Sequence, residues 1–373
     1  MRLSNKMRTM GDLLRLYTGA ASMGGLLFIG SSGCTLDGPR YSTEHLEIQT
    51  AFIEPLCRGD LQRMEAFVED VEEALGLTLA ERIDVYLWDD FSDLPNCPRG
   101  ATGCYKRGRH AVYTEFASLN HELIHAMTAE LGRPDHFFNE GIASALSGNA
   151  LIFKAVEPTA SRGRSSRDVD RGAAAHFTRW LLDTFGTSKW RMLHASRGSE
   201  DDFAKIYGVT LADAQVEYFQ TAPWVYPPFF QWEAPPLRPA PLGWREEVTF
   251  DCTSDDAFGQ PLGIGIGRTL RVAEAGYYDF WTTADLITVV RQFDSGVASM
   301  TEAEAGAVWD LPVPNQLRPF GRGVAVPGDV IVTLHLEEDQ YQLIITDVNR
   351  DAEREDIAVF PHLGPIDVVP GTP

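Results

Sequence analysis

The segment HELIH, residues 121–125, places two histidines four residues apart, with a glutamate directly after the first of them. An α-helix advances about 100° per residue, so side chains at positions i and i+4 lie about 40° apart on one face. His121 and His125 can therefore direct both imidazoles at one metal ion only if this segment is helical. The pattern predicts a helix that continues through Leu131 and ends at the glycine and proline that follow.

A further acidic residue follows in the segment NEG, residues 139–141. Glu140 lies in the next predicted helix, from about Asp135 to Leu146, after a turn that contains glycine and proline. Two antiparallel helices joined in this way can bring Glu140 against the histidine pair. Zinc prefers nitrogen and oxygen ligands, and a catalytic zinc site keeps one position for a water whose pKa the metal lowers towards about 7. Glu122 is placed to accept the proton of that water.

The segments HELIH and NEGIA together resemble the motifs of the gluzincin metallopeptidases, whose HExxH helix is followed by a helix carrying NE or EG. The resemblance implies that zinc is bound by His121, His125 and Glu140, and that Glu122 is the general base. It extends over about residues 50–220, but its specific motifs are these two segments.

Several positions leave alternatives open. Ser144 stands where gluzincins often have an aspartate that orients a histidine ligand, and a serine can hydrogen-bond but adds no charge. His136 is an alternative third ligand, although the spacing HExxHxxGxxH is absent because Thr128 occupies the position of the glycine. The group that stabilises the oxyanion in gluzincins is usually a tyrosine or histidine on a later helix. The candidates for it are His176, first by order along the chain, and His194, Tyr207 and Tyr218.

The surrounding sequence predicts one long helix and two strands. Residues 43–76 show helical periodicity, residues 82–88 alternate in the manner of a strand, and residues 109–116 predict a second strand. By resemblance, the strand at residues 111–114 is the edge to which gluzincins add a substrate peptide as an extra strand. Amphipathic segments predict further short helices up to about residue 222.

The predicted fold class is α+β, with two domains joined by a linker. Residues 34–222 are predicted to form a mainly helical gluzincin-like metallopeptidase domain with a small sheet. Residues 223–245 are rich in proline, which excludes regular helix and central strand, and predict a linker packed along the surface. Residues 246–373 contain alternating runs parted by Gly, Pro and Asp, which predict an all-β sandwich accessory domain.

The first residues are typical of an export signal, since basic residues precede an apolar run too short to span a bilayer as a permanent helix. The segment SSGC, residues 31–34, resembles the lipobox of bacterial lipoproteins. This resemblance implies a signal peptide over residues 1–33, lipidation of Cys34, and an outer-membrane location favoured by Thr35. We expect an exported protein, either an outer-membrane lipoprotein or a periplasmic or extracellular one, that contacts the membrane through its lipid anchor only. The alternative is simple secretion, with Cys34 unmodified or removed.

Four cysteines remain besides Cys34, an even number that fits disulfide pairing in an exported chain. Cys97 and Cys104 flank a loop rich in glycine and proline, so we predict that they pair. A bond between Cys57 and Cys252 then follows by elimination and would join the two halves of the chain. The alternative is that some of these cysteines are free buried thiols.

The net charge of −21, from 53 acidic and 32 basic residues, should repel DNA, RNA and anionic lipid. We therefore expect a peptide or protein substrate and no nucleic-acid partner, while the oligomeric state is left open. The favoured function is that of a zinc metallopeptidase with Zn²⁺ as cofactor, an endopeptidase sooner than an exopeptidase. Two alternatives are a non-catalytic envelope-binding lipoprotein on a gluzincin scaffold and a pair of purely structural helices.

Overall fold

The computed structural model describes residues 38–361, except for 52–55, 89–93, 95, 149–150, 233, 261–262, 283, 285, 293–322, 328–331, 337–338 and 348–354. All described residues belong to one compact unit. The predicted signal peptide, residues 1–33, and the predicted lipidation site Cys34 lie outside the described residues. None of the described helices is long and apolar enough to cross a membrane.

The described helices and strands follow in chain order. The α-helices are α1 Arg58–Leu75, α2 Leu119–Thr128, α3 His136–Leu146, α4 Arg171–Phe185, α5 Thr187–Ala195, α6 Glu200–Tyr207 and α7 Leu211–Thr221. The strands are β1 Arg40–Ser42, β2 Leu46–Thr50, β3 Ile83–Trp88, β4 Gly103–Lys106, β5 Ala111–Glu115, β6 Ile152–Phe153, β7 Val225–Tyr226, β8 Pro239–Ala240, β9 Gly243–Val248, β10 Ala257–Gln260, β11 Gly263–Val272, β12 Gly276–Thr282, β13 Leu286–Gln292, β14 Gly323–Pro327, β15 Val332–Leu336, β16 Asp339–Asp347 and β17 Glu355–Pro361.

The first five strands form one sheet in the order β1-β2-β3-β5-β4. Strands β2, β3 and β5 are parallel, whereas β1 and β4 pair antiparallel at the two edges. Phe67, Val68 and Val71 of α1 share a hydrophobic core with Leu123 and Ile124 of α2 and with the buried side chains of this sheet. The sheet thus supports the helix that carries the HELIH segment.

The predicted mainly helical domain with a small sheet is wrong, because the structure is a mixed α/β arrangement with several small sheets. Part of the predicted helix at residues 43–76 is strand β2, in which buried Leu46 and Ile48 flank the exposed Glu47. This period of two is the pattern of a half-buried strand. Helix α1 begins only at Arg58.

The predicted edge strand is also wrong. Strand β5, which contains residues 111–114, lies between β3 and β4, so the edge on this side of the sheet is β4. Gly103 pairs with Thr114, and Lys106 pairs with Ala111. The sequence of β4 is typical of a glycine- and proline-rich loop, and the segment forms a strand because it pairs with β5. Strand propensity alone does not predict such pairing.

The C-terminal part of the described chain contains two further five-stranded sheets, with the orders β10-β11-β16-β13-β14 and β15-β12-β17-β9-β8. All of their strand pairs are antiparallel. Ile266 and Ile345 of the first sheet share a hydrophobic core with Phe280 and Val359 of the second. Strand β9 begins at Gly243, inside the predicted linker, and the predicted domain boundaries stay predictions.

Both cysteine pairs lie at disulfide distance in the predicted pairing, with S–S distances of 2.09 Å for Cys57–Cys252 and 2.01 Å for Cys97–Cys104. The first bond lies where α1 meets β10. Beside it, the buried Asp60 Oδ2 accepts hydrogen bonds from the backbone N–H groups of Cys57, at 3.0 Å, and of Gly259, at 2.7 Å. The start of α1 is thereby fixed to the C-terminal sheets by a covalent bond and by a shared carboxylate.

His45 connects the β1–β2 turn to α1. Its Nδ1 contacts the Glu65 carboxylate, and its Nε2 lies 3.6 Å from Glu72 Oε2. Burial alone would lower the pKa of His45, but the hydrogen bond to Glu65 and the charges of both carboxylates raise it above its ordinary value. A group whose pKa is raised on folding stabilises the folded state, and this contribution is complete when the pH is below the unfolded-state pKa, about 6.5 for histidine. The contribution is lost as the pH rises through the folded-state pKa.

We therefore expect His45→Gln to reduce the free energy of unfolding more at about pH 5.5 than at about pH 8.5, by on the order of 1 kcal/mol. Urea unfolding of both proteins at the two pH values measures this difference. The exposed His136→Gln is the control for loss of a histidine elsewhere on the surface. A loss for His45→Gln that is the same at both pH values would contradict the assignment.

Candidate metal centre

Helix α2 presents its two histidines on the face that meets Glu140 of α3. Leu119, Leu123 and Ile124 are buried against the sheet and the other helices. His121 and His125, spaced by one turn, lie on the remaining face with 12% of each side chain exposed. The helical spacing expected from the sequence is therefore present.

Helix α3 brings Glu140 to the same place. Its N-terminus is capped by Asp135, whose carboxylate accepts the backbone N–H of Phe138 at 3.1 Å. Arg162 binds the same carboxylate through Nε at 3.1 Å, and so ties the preceding loop to the start of α3. At most two turns of helix separate Asp135 from Glu140. The capped start of α3 therefore fixes the position of Glu140.

The three predicted ligands form one cluster. The two Nε2 atoms of His121 and His125 are 3.2 Å apart. Glu140 Oε2 lies 3.3 Å from His121 Nε2, and Glu140 Oε1 lies 3.8 Å from His125 Nε2. All donor atoms of the cluster lie within 4.8 Å of one another, so it could hold a metal ion.

The chemistry of the donor set fits such an ion. Glu140 Oε2 is buried and has no hydrogen-bond partner of regular geometry among the described residues, so a lone pair of this acceptor is available to a metal ion. Burial, followed by the proximity of His121, lowers the pKa of His125 to about 3, so its imidazole is neutral and keeps a lone pair. Burial alone would raise the pKa of Glu140, but His121, His125 and Arg171 hold it below its usual value. Imidazole nitrogens and a carboxylate are the ligand types that zinc accepts.

Asn139 contacts the outer nitrogen of one ligand, with its amide Nδ2 3.2 Å from His125 Nδ1. Turning the amide by 180° places its oxygen there as the acceptor of Nδ1–H, which leaves Nε2 free to bind a metal. Ser144 was the residue that the sequence offered for this role, and the contact of Asn139 was not predicted. The signal was present, because Asn139 directly precedes Glu140 in the NEG segment.

Glu122 is buried beneath the edge strand β4. Burial raises its pKa to about 7, and Glu140 adds to the rise, while His121 and Arg171 act against it. A Cβ atom on Gly103 of β4 would lie 2.6 Å from Glu122 Cγ, so only glycine fits over this carboxylate. A carboxyl group with a pKa near neutrality can both accept and release a proton at physiological pH.

The remaining sequence candidates lie elsewhere. His136 is exposed at the start of α3 and is not part of the cluster. His176 and Tyr218 have no exposed surface, and their Nδ1 and hydroxyl groups contact each other at 2.8 Å. His194 and Tyr207 are exposed by only 1% and 3%. None of these four aromatic candidates is therefore open to a substrate.

Arg171 also lies at this site, although no pattern in the sequence predicts it. Its Nε lies 3.2 Å from Glu140 Oε2, and 56% of its side chain is exposed. It follows Glu140 by more than thirty positions in the sequence, so no local motif marks it.

These observations define a mixed α/β protein with a His/Glu cluster able to hold a metal ion. No known protein family matches the chain, and no curated protein sequence is significantly similar to it. Membership of the gluzincins therefore stays a prediction that rests on the two motifs and on this cluster.

Proposed function

We propose that this protein is a zinc-dependent metallopeptidase that hydrolyses peptide bonds. The observation that carries the proposal is the convergence of His121, His125 and Glu140, from two helices, with the buried Glu122 beside them. Three protein ligands leave a fourth position of a tetrahedral zinc site for water or substrate. A site of this kind is open, as catalysis requires.

Zinc, when bound, would act as a Lewis acid and lower the pKa of a water molecule in the site. Glu122 accepts a proton from the water as its oxygen bonds to the carbonyl carbon of the substrate. The same residue then donates this proton to the leaving amine as the C–N bond breaks. The products are a carboxylic acid and an amine, so one water is consumed for each bond cleaved. The position of Glu122 beside His121 and Glu140, the proposed ligands, suits both transfers.

Strand β4 is the element that would receive an extended substrate. In the described part of the chain its hydrogen-bonded neighbour is β5, on one side only. The other side of an edge strand offers backbone N–H and C=O groups to an added peptide strand. Because Gly103 of β4 lies against Glu122, a peptide on this edge would pass close to the proposed base.

The proposal places this activity outside the cytoplasm. Stable disulfides form in oxidising compartments, and both cysteine pairs are at bonding distance. Export with a lipid anchor at Cys34 remains part of the proposal, on the resemblance of the N-terminal segment to a lipoprotein signal.

The test is the metal content of the purified protein and of its Glu140→Ala variant, measured by mass spectrometry. We expect about one zinc per chain in the parent protein. Zinc affinity should fall in the variant by at least the roughly 10–100-fold that is typical of a lost outer-shell partner. The exposed Glu130→Ala should keep its zinc and serves as the matched control.

Equal zinc content in the parent and in Glu140→Ala would mean that Glu140 is not a ligand, and absence of zinc from both after reloading would refute the metal centre. The zinc-loaded parent is then incubated with a broad peptide library, and we expect cleavage that a chelator abolishes. Zinc binding without any cleavage would instead support the non-catalytic envelope-binding alternative.

A further inference from the structure

Arg171 is placed at the metal centre by the packing of α4 on α3. A Cβ atom on Gly141 of α3 would lie 2.4 Å from Thr178 Oγ1 and 2.9 Å from the carbonyl oxygen of Ala174, so the two helices touch at this glycine. Positions 171, 174 and 178 share one face of α4, since they are three and four residues apart. The contact that requires Gly141 therefore also directs Arg171 towards the neighbouring Glu140.

The charge of Arg171 acts on the whole centre. Its guanidinium lowers the pKa values of Glu122, His125 and Glu140, in each case alongside larger contributions. Its Nε faces Glu140 Oε2 at 3.2 Å, and Glu140 is its ion-pair partner among the described residues. An arginine carries five N–H donors in a planar fork, so four remain on its two terminal nitrogens. With 56% of the side chain exposed, solvent and substrate can reach it.

Peptide hydrolysis needs a group that stabilises the negative charge developing on the carbonyl oxygen. The four aromatic candidates for this role are 0% to 3% exposed and cannot contact a substrate. Arg171 combines a permanent positive charge, free donors, accessibility and a position at the ligand cluster. We propose that Arg171 is a catalytic residue that binds the carbonyl oxygen of the substrate as its negative charge develops. This inference rests on the proposed function.

The experiment compares the zinc-loaded parent protein with Arg171→Met and Arg171→Lys, using the best-cleaved peptide of the library. We expect kcat to fall about 10²–10³-fold in Arg171→Met, as for a lost oxyanion donor, with KM changed by less than about threefold. Arg171→Lys should recover part of kcat because it restores the charge. Arg167→Met, a change of an exposed arginine in the preceding loop, is the control and should match the parent protein.

Binding provides a second readout that does not require turnover. A phosphinic analogue of the same peptide carries an anionic tetrahedral centre, and its affinity for zinc-loaded Arg171→Met should fall by the same factor as kcat. The uncleaved peptide, measured in a Glu122→Gln background, should bind almost unchanged. Zinc content near one per chain in Arg171→Met would show that the ligand cluster is intact.

The possible failures are distinguishable. A parent protein that binds no zinc or cleaves no peptide refutes the proposed function, and the role of Arg171 with it. A parent protein that cleaves, with an Arg171→Met variant whose kcat stays within about threefold, refutes the role of Arg171 alone. Loss of zinc from Arg171→Met together with loss of activity would also overturn the proposal, since Arg171 would then act through Glu140.

Discussion

Replacing Glu122 by glutamine is expected to abolish peptide hydrolysis while leaving zinc binding intact. Positioned general acids and bases contribute about 10²–10⁴-fold to rate, so kcat should fall by at least this factor. Glutamine has nearly the shape of glutamate and carries no charge, so the substitution fills the same buried space without adding a buried charge. The melting temperature and the zinc content should therefore match those of the parent protein.

The measurement is turnover of the best library peptide at saturating zinc, with metal content determined on the same samples. Glu130→Gln is the matched control, because Glu130 lies just beyond the same helix but is exposed. Full activity in Glu122→Gln would refute Glu122 as the base and leave the metal centre untouched. Loss of zinc from this variant would instead indicate that Glu122 takes part in metal binding.

Removing the Cys57–Cys252 bond is expected to have the largest effect on stability. A disulfide stabilises a protein mainly by restricting the unfolded chain, and removal of a native bond typically costs about 2–5 kcal/mol. This bond closes a loop of 195 residues, whereas Cys97–Cys104 closes one of 7. In the chain-entropy account the longer loop is worth about 3 kcal/mol more than the shorter one.

The double variant Cys57→Ser/Cys252→Ser should therefore unfold at a markedly lower urea concentration than Cys97→Ser/Cys104→Ser. The shorter loop provides the matched control, since both variants lose two cysteines and one bond. Equal losses of unfolding free energy in the two variants would contradict the argument. We expect Cys57→Ser/Cys252→Ser to weaken the packing of α1 against β10 as well, because Cys57 and Asp60 lie together at this contact.

The His/Glu cluster could be predicted because its determinants are local. Helical geometry alone places His121 beside His125, and a short turn limits where Glu140 can lie. The structure brings these three residues together, as the sequence predicted. Arg171 could not be predicted in the same way, because its position depends on how closely α4 packs on Gly141. That contact is a property of two helices and not of any motif.

The errors in the fold have a similar origin. Strand β3 at Ile83–Trp88 can be predicted from its alternating pattern, and strand β5 at Ala111–Glu115 from its run of residues that favour strands, such as valine, tyrosine and threonine. Strands β1 and β4 span three and four residues and exist through pairing with a neighbour. Strand formation depends on the neighbouring strands more than helix formation depends on its surroundings. Short edge strands are therefore difficult to predict from the sequence alone. The sequence therefore predicts too little strand and too much helix.

The order of the cysteines along the chain has a consequence for biosynthesis. If the chain crosses a membrane from its N-terminus, Cys57, Cys97 and Cys104 reach the oxidising side well before Cys252. Cys97 and Cys104 can pair at once, whereas Cys57 must wait for a partner 195 residues away or pair wrongly in the meantime. In the second case, correct maturation would depend on thiol–disulfide exchange, which releases Cys57 from a wrong partner once β10 is available to pack against α1. The yield of native protein would accordingly depend on a disulfide isomerase in the receiving compartment.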